Sequence, residues 1–243
     1  LDDSFLALPL QALSDAALSK AKDVGCSYAE VRVERIRAAY RSFRDHAIDT
    51  TADNQVLGLS VRVVHNGVWG FASDITLSLD SAARLAERAV ATAKVSRPLT
   101  PASVELADEE VYSDAGWVSA YEVDPFDVDE GTKTGRMLGL NEALLAAPGV
   151  SHANATLGYV HENKYFANLA GTSTTQQRVR IQAQLTAVSV GELGFATMRT
   201  LAPPTGRGWE YLTGTGWDFD AEVAEIPELL AAQVAAPSVE AGH

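Results

Sequence analysis

The strongest constraint in this sequence is alternation with a period of two. Leu57, Leu59, Val61 and Val63 alternate with small or polar residues and run into His65-Asn66-Gly67-Val68. Asn and Gly both tolerate positive φ, so an Asn-Gly pair between alternating runs predicts a tight hairpin. The return strand is Val68-Trp69-Gly70-Phe71-Ala72. A second, longer run places Val179, Ile181, Ala183, Leu185 and Ala187 on one face and Arg178, Arg180, Gln182, Gln184 and Thr186 on the other, within an expected strand over 174–190. Its polar face reads either as a solvated sheet surface or as one that meets a partner or an extended peptide. Further strands are expected at Ala29–Val33, at a second segment ending near Arg44 after a turn or bulge at Arg35-Ile36, at 150–157 and at 164–168.

Helical spacing appears between these runs. Leu10, Leu13, Ala17, Ala21 and Val24 recur at helical intervals, and Gly25 stands where a glycine stops a helix. Ala82, Leu85, Ala86, Ala89, Val90 and Ala93 define a helix over about 79–95. Asp127-Val128-Asp129-Glu130 resembles a capping box opening a helix that ends at Pro148-Gly149. A last helix spans about 220–235, interrupted or restarted at Pro227. The expected class is α+β: a two-part region with long antiparallel strands and hairpins and packed helices. The prolines of Arg97-Pro98-Leu99-Thr100-Pro101 suggest a first domain over 1–100, a second over 101–236, and the start of a linker at 237–243.

Composition excludes several functions. The net charge of −13 lies wholly in residues 101–243, since residues 1–100 are neutral, and the stretch from Glu105 to Glu130 holds ten acids and no base. Phosphate contacts need clustered Lys and Arg, so neither nucleic acid nor an anionic membrane is an expected partner. The acidic stretch reads as a solvated linker or as a surface attracting basic partners. The single cysteine, Cys26, excludes an intrachain disulfide framework and reads as a buried, inert thiol. No apolar run spans a membrane, no export signal is visible, and the lone cysteine fits a reducing compartment.

No self-contained active site emerges. His46, His65, His152, His161 and His243 form no HxH, HxxxH or HExxH pattern, and Asn163-Lys164 after His161-Glu162 reads as a hairpin turn. Gly206-Arg207-Gly208 and Gly214-Thr215-Gly216 are too short for a phosphate loop. Asp124, Asp127 and Asp129 read as linker and cap residues, although an unrelated hydrolase using acids such as Asp124 and Glu162 is a formal alternative. No catalytic, cofactor-binding or metal residue is therefore assigned.

Specific strings then narrow the choice. Gly25-Cys26-Ser27-Tyr28-Ala29-Glu30-Val31-Arg32 resembles the opening strand of the TldD/PmbA family. Gly58-Leu59-Ser60-Val61-Arg62-Val63, followed by Gly67-Val68-Trp69-Gly70-Phe71-Ala72-Ser73, resembles that family's first hairpin. Lys164-Tyr165-Phe166-Ala167-Asn168 with Gly171-Thr172, Gly206-Arg207-Gly208-Trp209-Glu210-Tyr211 and Ala236-Pro237-Ser238-Val239-Glu240 are similar to later segments, nearer the family's TldD branch. The resemblance implies a cytoplasmic zinc metallopeptidase that trims peptides, also known as a modulator of DNA gyrase. It implies a dimer, either of identical chains or with a PmbA/TldE-like paralogue. In the family the zinc helix, HExxxH with a further Cys, lies in a C-terminal domain beginning after the Ala-Pro-Ser-Val-Glu string. No position here matches it, so this chain reads as the N-terminal, non-catalytic portion, cut short before the zinc, with His243 a tag residue. The hairpin 57–72 and the strand 174–190 are expected to shape the substrate chamber or the dimer surface. The alternative is a free-standing peptide- or partner-binding regulatory module without catalytic activity.

Overall fold

The computed structural model describes residues 1–100, 102–191, 194–237, 239 and 242. Among these residues, five α-helices and seven strands follow in the order α1 (Asp3–Leu6), α2 (Leu10–Asp23), β1 (Tyr28–Arg44), β2 (Ala47–His65), β3 (Val68–Asp74), α3 (Leu79–Ser96), β4 (Ala115–Val118), α4 (Glu130–Leu145), β5 (His152–Asn168), β6 (Ser173–Gly191), β7 (Gly194–Arg199) and α5 (Phe219–Ala235). The strands hydrogen-bond in the order β3-β2-β1-β5-β6-β4, and β7 pairs with β6. The hairpins β2–β3 and β6–β7 are antiparallel, while the short β4 joins β6 in parallel. The class is α+β, as the alternation implied. No helix among the described residues is long and apolar enough to cross a membrane.

The chain divides into two compact units, and the division does not follow chain order. The first comprises 1–37, 55–118 and 162–178; the second comprises 38–54, 119–161 and 179–243. Each long strand contributes one stretch to each unit.

In the first unit, α2 and α3 cover one face of the sheet. Leu13, Ala17 and Ala21 of α2 and Leu85, Ala86 and Ala89 of α3 pack on Val31, Val33, Val61 and Val63. Helix α2 ends in a Schellman motif: Cys26 N–H donates to Ala21 O at 3.0 Å and Gly25 N–H to Lys22 O at 3.0 Å, with Gly25 at φ +81°. Cys26 is half-buried there rather than fully buried, and burial pushes its thiol pKa up. The Asn66-Gly67 turn has φ 50° and 72°, the paired left-handed geometry expected of that sequence. A Cβ on Gly70 would stand 1.9 Å from Ala89 O, so the glycine lets α3 lie directly on β3.

In the second unit, α4 and α5 pack over Ala153, Ala155, Leu157, Ile181, Ala183 and Leu185. Asp129, not Asp127, caps α4, accepting from Thr132 N–H at 2.9 Å. Helix α5 runs unbroken through Pro227. Two strand readings also need correction. β1 continues without a turn at Arg35-Ile36: burial stays on its odd-numbered residues, Val31 and Val33 in one core and Ala39 and Phe43 in the other, while Ile36 and Tyr40 stand on the opposite face. β5 is likewise continuous: Asn163 is a buried strand residue rather than part of a turn.

Candidate functional site

Helices cover only one face of the first unit's sheet. The other face is built by even-numbered residues of β1 and β2 and odd-numbered residues of β3, a direct consequence of the two-residue period. On β1 these are Glu30, Arg32, Glu34 and Ile36; on β2, Gly58, Ser60 and Arg62; on β3, Trp69, Phe71 and Ser73. Glycine and serine at 58, 60 and 73 fall between large neighbours, which leaves a depression. It forms a 530 Å³ cleft lined by residues that include Arg32, Glu34, Ile36, Val56, Phe71 and Ile75. A 310 Å³ extension reaches Glu30 and Arg62.

The floor of the extension is a charge network. Glu30, with its side chain 4% exposed, receives Arg62 Nη2 at 2.8 Å, Arg32 Nη2 at 2.9 Å and the Tyr28 hydroxyl at 2.7 Å. Burial alone would raise the Glu30 pKa. The hydrogen bonds from Arg62 and Tyr28 and the charges of the two arginines outweigh it and hold the carboxyl below its ordinary range. Burial and the bond to Glu30 push the Tyr28 phenol up to about 12. The Arg62 guanidinium lies 4.4 Å from the Trp69 ring centroid, and Arg32 lies 5.8 Å from that of Phe166. These contacts fix both arginines as parts of a rigid wall.

At the end of the cleft the hairpin opens. β3 pairs with β2 from His65↔Val68 to Leu59↔Asp74 and then leaves the sheet. Asp74 Oδ1 turns the chain away by accepting Ile75 N–H at 2.7 Å and Thr76 N–H at 3.1 Å. Among the described residues β2 continues to Ala47 with no strand on its outer side.

The residues weighed for other chemistry fall elsewhere. His161 Nδ1 meets Asp124 in the second unit, a pairing the sequence spacing hid, and its Nε2 is buried without a partner. His152 Nδ1 lies 3.1 Å from Asp45 Oδ2, and His46 lies 3.8 Å from Glu142. Glu162 lies 3.6 Å from Arg178. His65 flanks the hairpin turn, half-buried, while His243, Ser238 and Glu240 lie outside the described residues. The residues present do not fit a zinc ion: no group of three or more His, Cys, Asp or Glu among those described could hold a metal. The glycine-rich loop is a packing device, since a Cβ on Gly208 would meet Val123 O at 2.0 Å. Glu210 ties that loop by accepting Gly208 N–H at 2.8 Å and Val123 N–H at 3.1 Å.

Comparison with known proteins places this geometry. The family model described as PmbA/TldA metallopeptidase domain 1 matches residues 29–93, the segment that builds the cleft. No curated protein matches the sequence. The fold is similar to a protein from Bacteroides thetaiotaomicron assigned as a modulator of DNA gyrase, with TM-score 0.71 and 14% identity over 95% of this chain and 51% of that one. It is similar to a Thermotoga maritima protein assigned the same role, with TM-score 0.70 and 12% identity over 96% and 50% of the two chains. TldE from Thermococcus kodakarensis gives TM-score 0.58 and 11% identity over 89% and 47%. Residues 29–93 are thus similar to a PmbA/TldD-type first domain, set within a larger α+β fold that these solved structures share. The chain spans about half the length of the solved chains it matches.

Proposed function

We propose that this chain is the non-catalytic portion of a TldD/PmbA-like zinc metallopeptidase, shaping the chamber in which peptides are held and the surface on which the enzyme dimerises. The observation that carries this reading is the helix-free sheet face of the first unit, where a rigid charged wall and a 530 Å³ cleft stand beside an unpaired strand edge. Such an edge binds extended chains through their backbone, with low sequence preference, as a general peptide-trimming enzyme requires. In this reading the zinc and its general base belong to a further part of the enzyme, which acts in the cytoplasm. The partner is a second copy or a PmbA/TldE-like paralogue.

The test uses the intact enzyme that contains this sequence. Ser60→Phe, which fills the cleft, is expected to lower peptide cleavage about tenfold through KM while leaving zinc content unchanged. Unchanged cleavage, or an intact gene product without an HExxxH zinc site, overturns the reading in favour of a free-standing binding module.

A further inference from the structure

The cleft has a chemical preference, which rests on the reading that this face holds extended peptides. Where β3 peels away at Asp74, its lane beside β2 is left open, and the cleft lies at the start of that lane. Val56, Phe71 and Ile75 line it while 62%, 54% and 79% exposed, an unusual concentration of uncovered apolar surface beside an open strand edge. Gly58 puts no side chain on the open face of β2, which lets the departing chain pass with Asp74 O 3.0 Å from where a Cβ would stand, and Glu34 and Ile36 of the next strand border the same cleft.

The charges there are unequal in availability. Arg32 and Arg62 are both committed to Glu30. Asp74 is committed to Ile75 N–H, Thr76 N–H and the Ser81 hydroxyl. Glu34, half-buried, is left without a hydrogen bond or ion pair among the described residues. β2 carries no Lys or Arg between Ala47 and Val61, so a basic strand added at this edge would meet Glu34 without a competing cation on β2, whereas a second copy of the edge would bring no base to it.

We propose that the outer edge of β2 at Gln55–Gly58 takes up an extended cationic peptide by strand addition, continuing the line of β3. One apolar side chain seats against Ile36, Val56, Phe71 and Ile75, and a Lys or Arg two residues along, on the same face, meets Glu34. Backbone hydrogen bonds supply the affinity, and the apolar and basic positions supply the preference.

The experiment is fluorescence anisotropy on this chain with a short labelled peptide centred on Lys-Thr-Leu. Three comparison peptides accompany it: Glu replacing Lys, Ala replacing Leu, and alternate backbone amides N-methylated. Each change is expected to weaken binding about tenfold. Glu34→Lys should invert the Lys-over-Glu preference, a charge swap that a purely structural role for Glu34 would not produce. Ser60→Phe should abolish binding with the circular dichroism spectrum and melting curve unchanged. Binding indifferent to N-methylation and to Glu34→Lys overturns the proposal. So does concentration-dependent self-association that Val56→Pro abolishes, which would give the edge to a second copy. If the peptide binds as described yet Ser60→Phe leaves cleavage by the intact enzyme unchanged, the peptidase reading fails and this site stands; if cleavage falls but the peptide does not bind, the reverse holds.

Discussion

Both units place a carboxylate between two cations, but in the first the carboxylate is buried and in the second the cations are. In the first unit Glu30, 4% exposed, sits on the face without helices between Arg32 and Arg62, whose side chains are 39% and 42% exposed. In the second, Glu130 joins Arg41 and Lys133 at the start of α4, and both cations stand over the ring of Tyr159, at 5.7 and 4.8 Å from its centroid. Lys133 is 1% exposed and also donates to Pro125 O at 2.9 Å. Similar residue types therefore serve different ends. The buried cations of the second set fix α4 and the loop before it, while the exposed arginines of the first stiffen a surface.

The largest expected effect tests the buried set. Lys133→Ala leaves Pro125 O unpaired, removes a cation from Glu130 and opens space above Tyr159, and should cost about 3 kcal/mol. Urea denaturation followed by tryptophan fluorescence reads it. Peptide binding at the cleft should be unaffected at temperatures where the variant is folded. A loss of binding without loss of stability would erase the distinction between the two networks.

Glu30→Gln should cost less, about 1.5 kcal/mol, because Arg32 and Arg62 keep access to water. The same group gives a pH signature. Its pKa is lowered from the ordinary 4.5, so its contribution is fully present above that value and is lost as the pH falls through the folded-state pKa. The stability difference between wild type and Glu30→Gln should therefore shrink on acidification below about 4.5. A difference that stays constant from neutral pH down to about 3 would mean that folding leaves the Glu30 pKa unshifted.

Helix caps give a smaller, symmetric check. Ser78 caps α3 through Ser81 N–H at 3.2 Å, and Asp129 caps α4 through Thr132 N–H at 2.9 Å. Ser78→Ala and Asp129→Ala should each cost about 1 kcal/mol. A markedly greater cost for Asp129→Ala would mean that the α4 terminus depends on its cap as well as on Lys133.

What could be read from the sequence divides along physical lines. The hairpin at Asn66-Gly67, the helices at 10–23 and 79–96 and the strand at 173–191 were legible because apolar period and turn chemistry agree there. β1 misled because two apolar residues, Ile36 and Tyr40, stand on its even-numbered face while burial stays on the odd-numbered one, which mimics a change of parity. β5 misled because Asn163, a good turn residue, is instead satisfied inside the strand. The cleft was half visible. The strings that carry the family resemblance supply Glu30, Arg32, Gly58, Arg62, Phe71 and Ser73, yet nothing in them shows that small residues on two strands would align into a depression. His161 and Asp124 lie 37 residues apart, and only the fold brings them together.

The smallest expected stability effect makes the most discriminating test of the comparison. Ser60 is on the open face, lines the cleft and its extension, and packs against no helix. A phenylalanine there projects into the 530 Å³ space between Glu34, Phe71 and Ile75, where aromatic and β-branched side chains suit a strand. Its effect on unfolding should stay within about 0.5 kcal/mol, the usual range for a surface change that breaks no contact. A stability loss of several kcal/mol would show that the depression is packed space on which the fold depends. A neutral melt together with lost peptide binding would show that the space above Ser60 serves a ligand rather than the sheet, in contrast to Gly58, where a Cβ would stand 3.0 Å from Asp74 O.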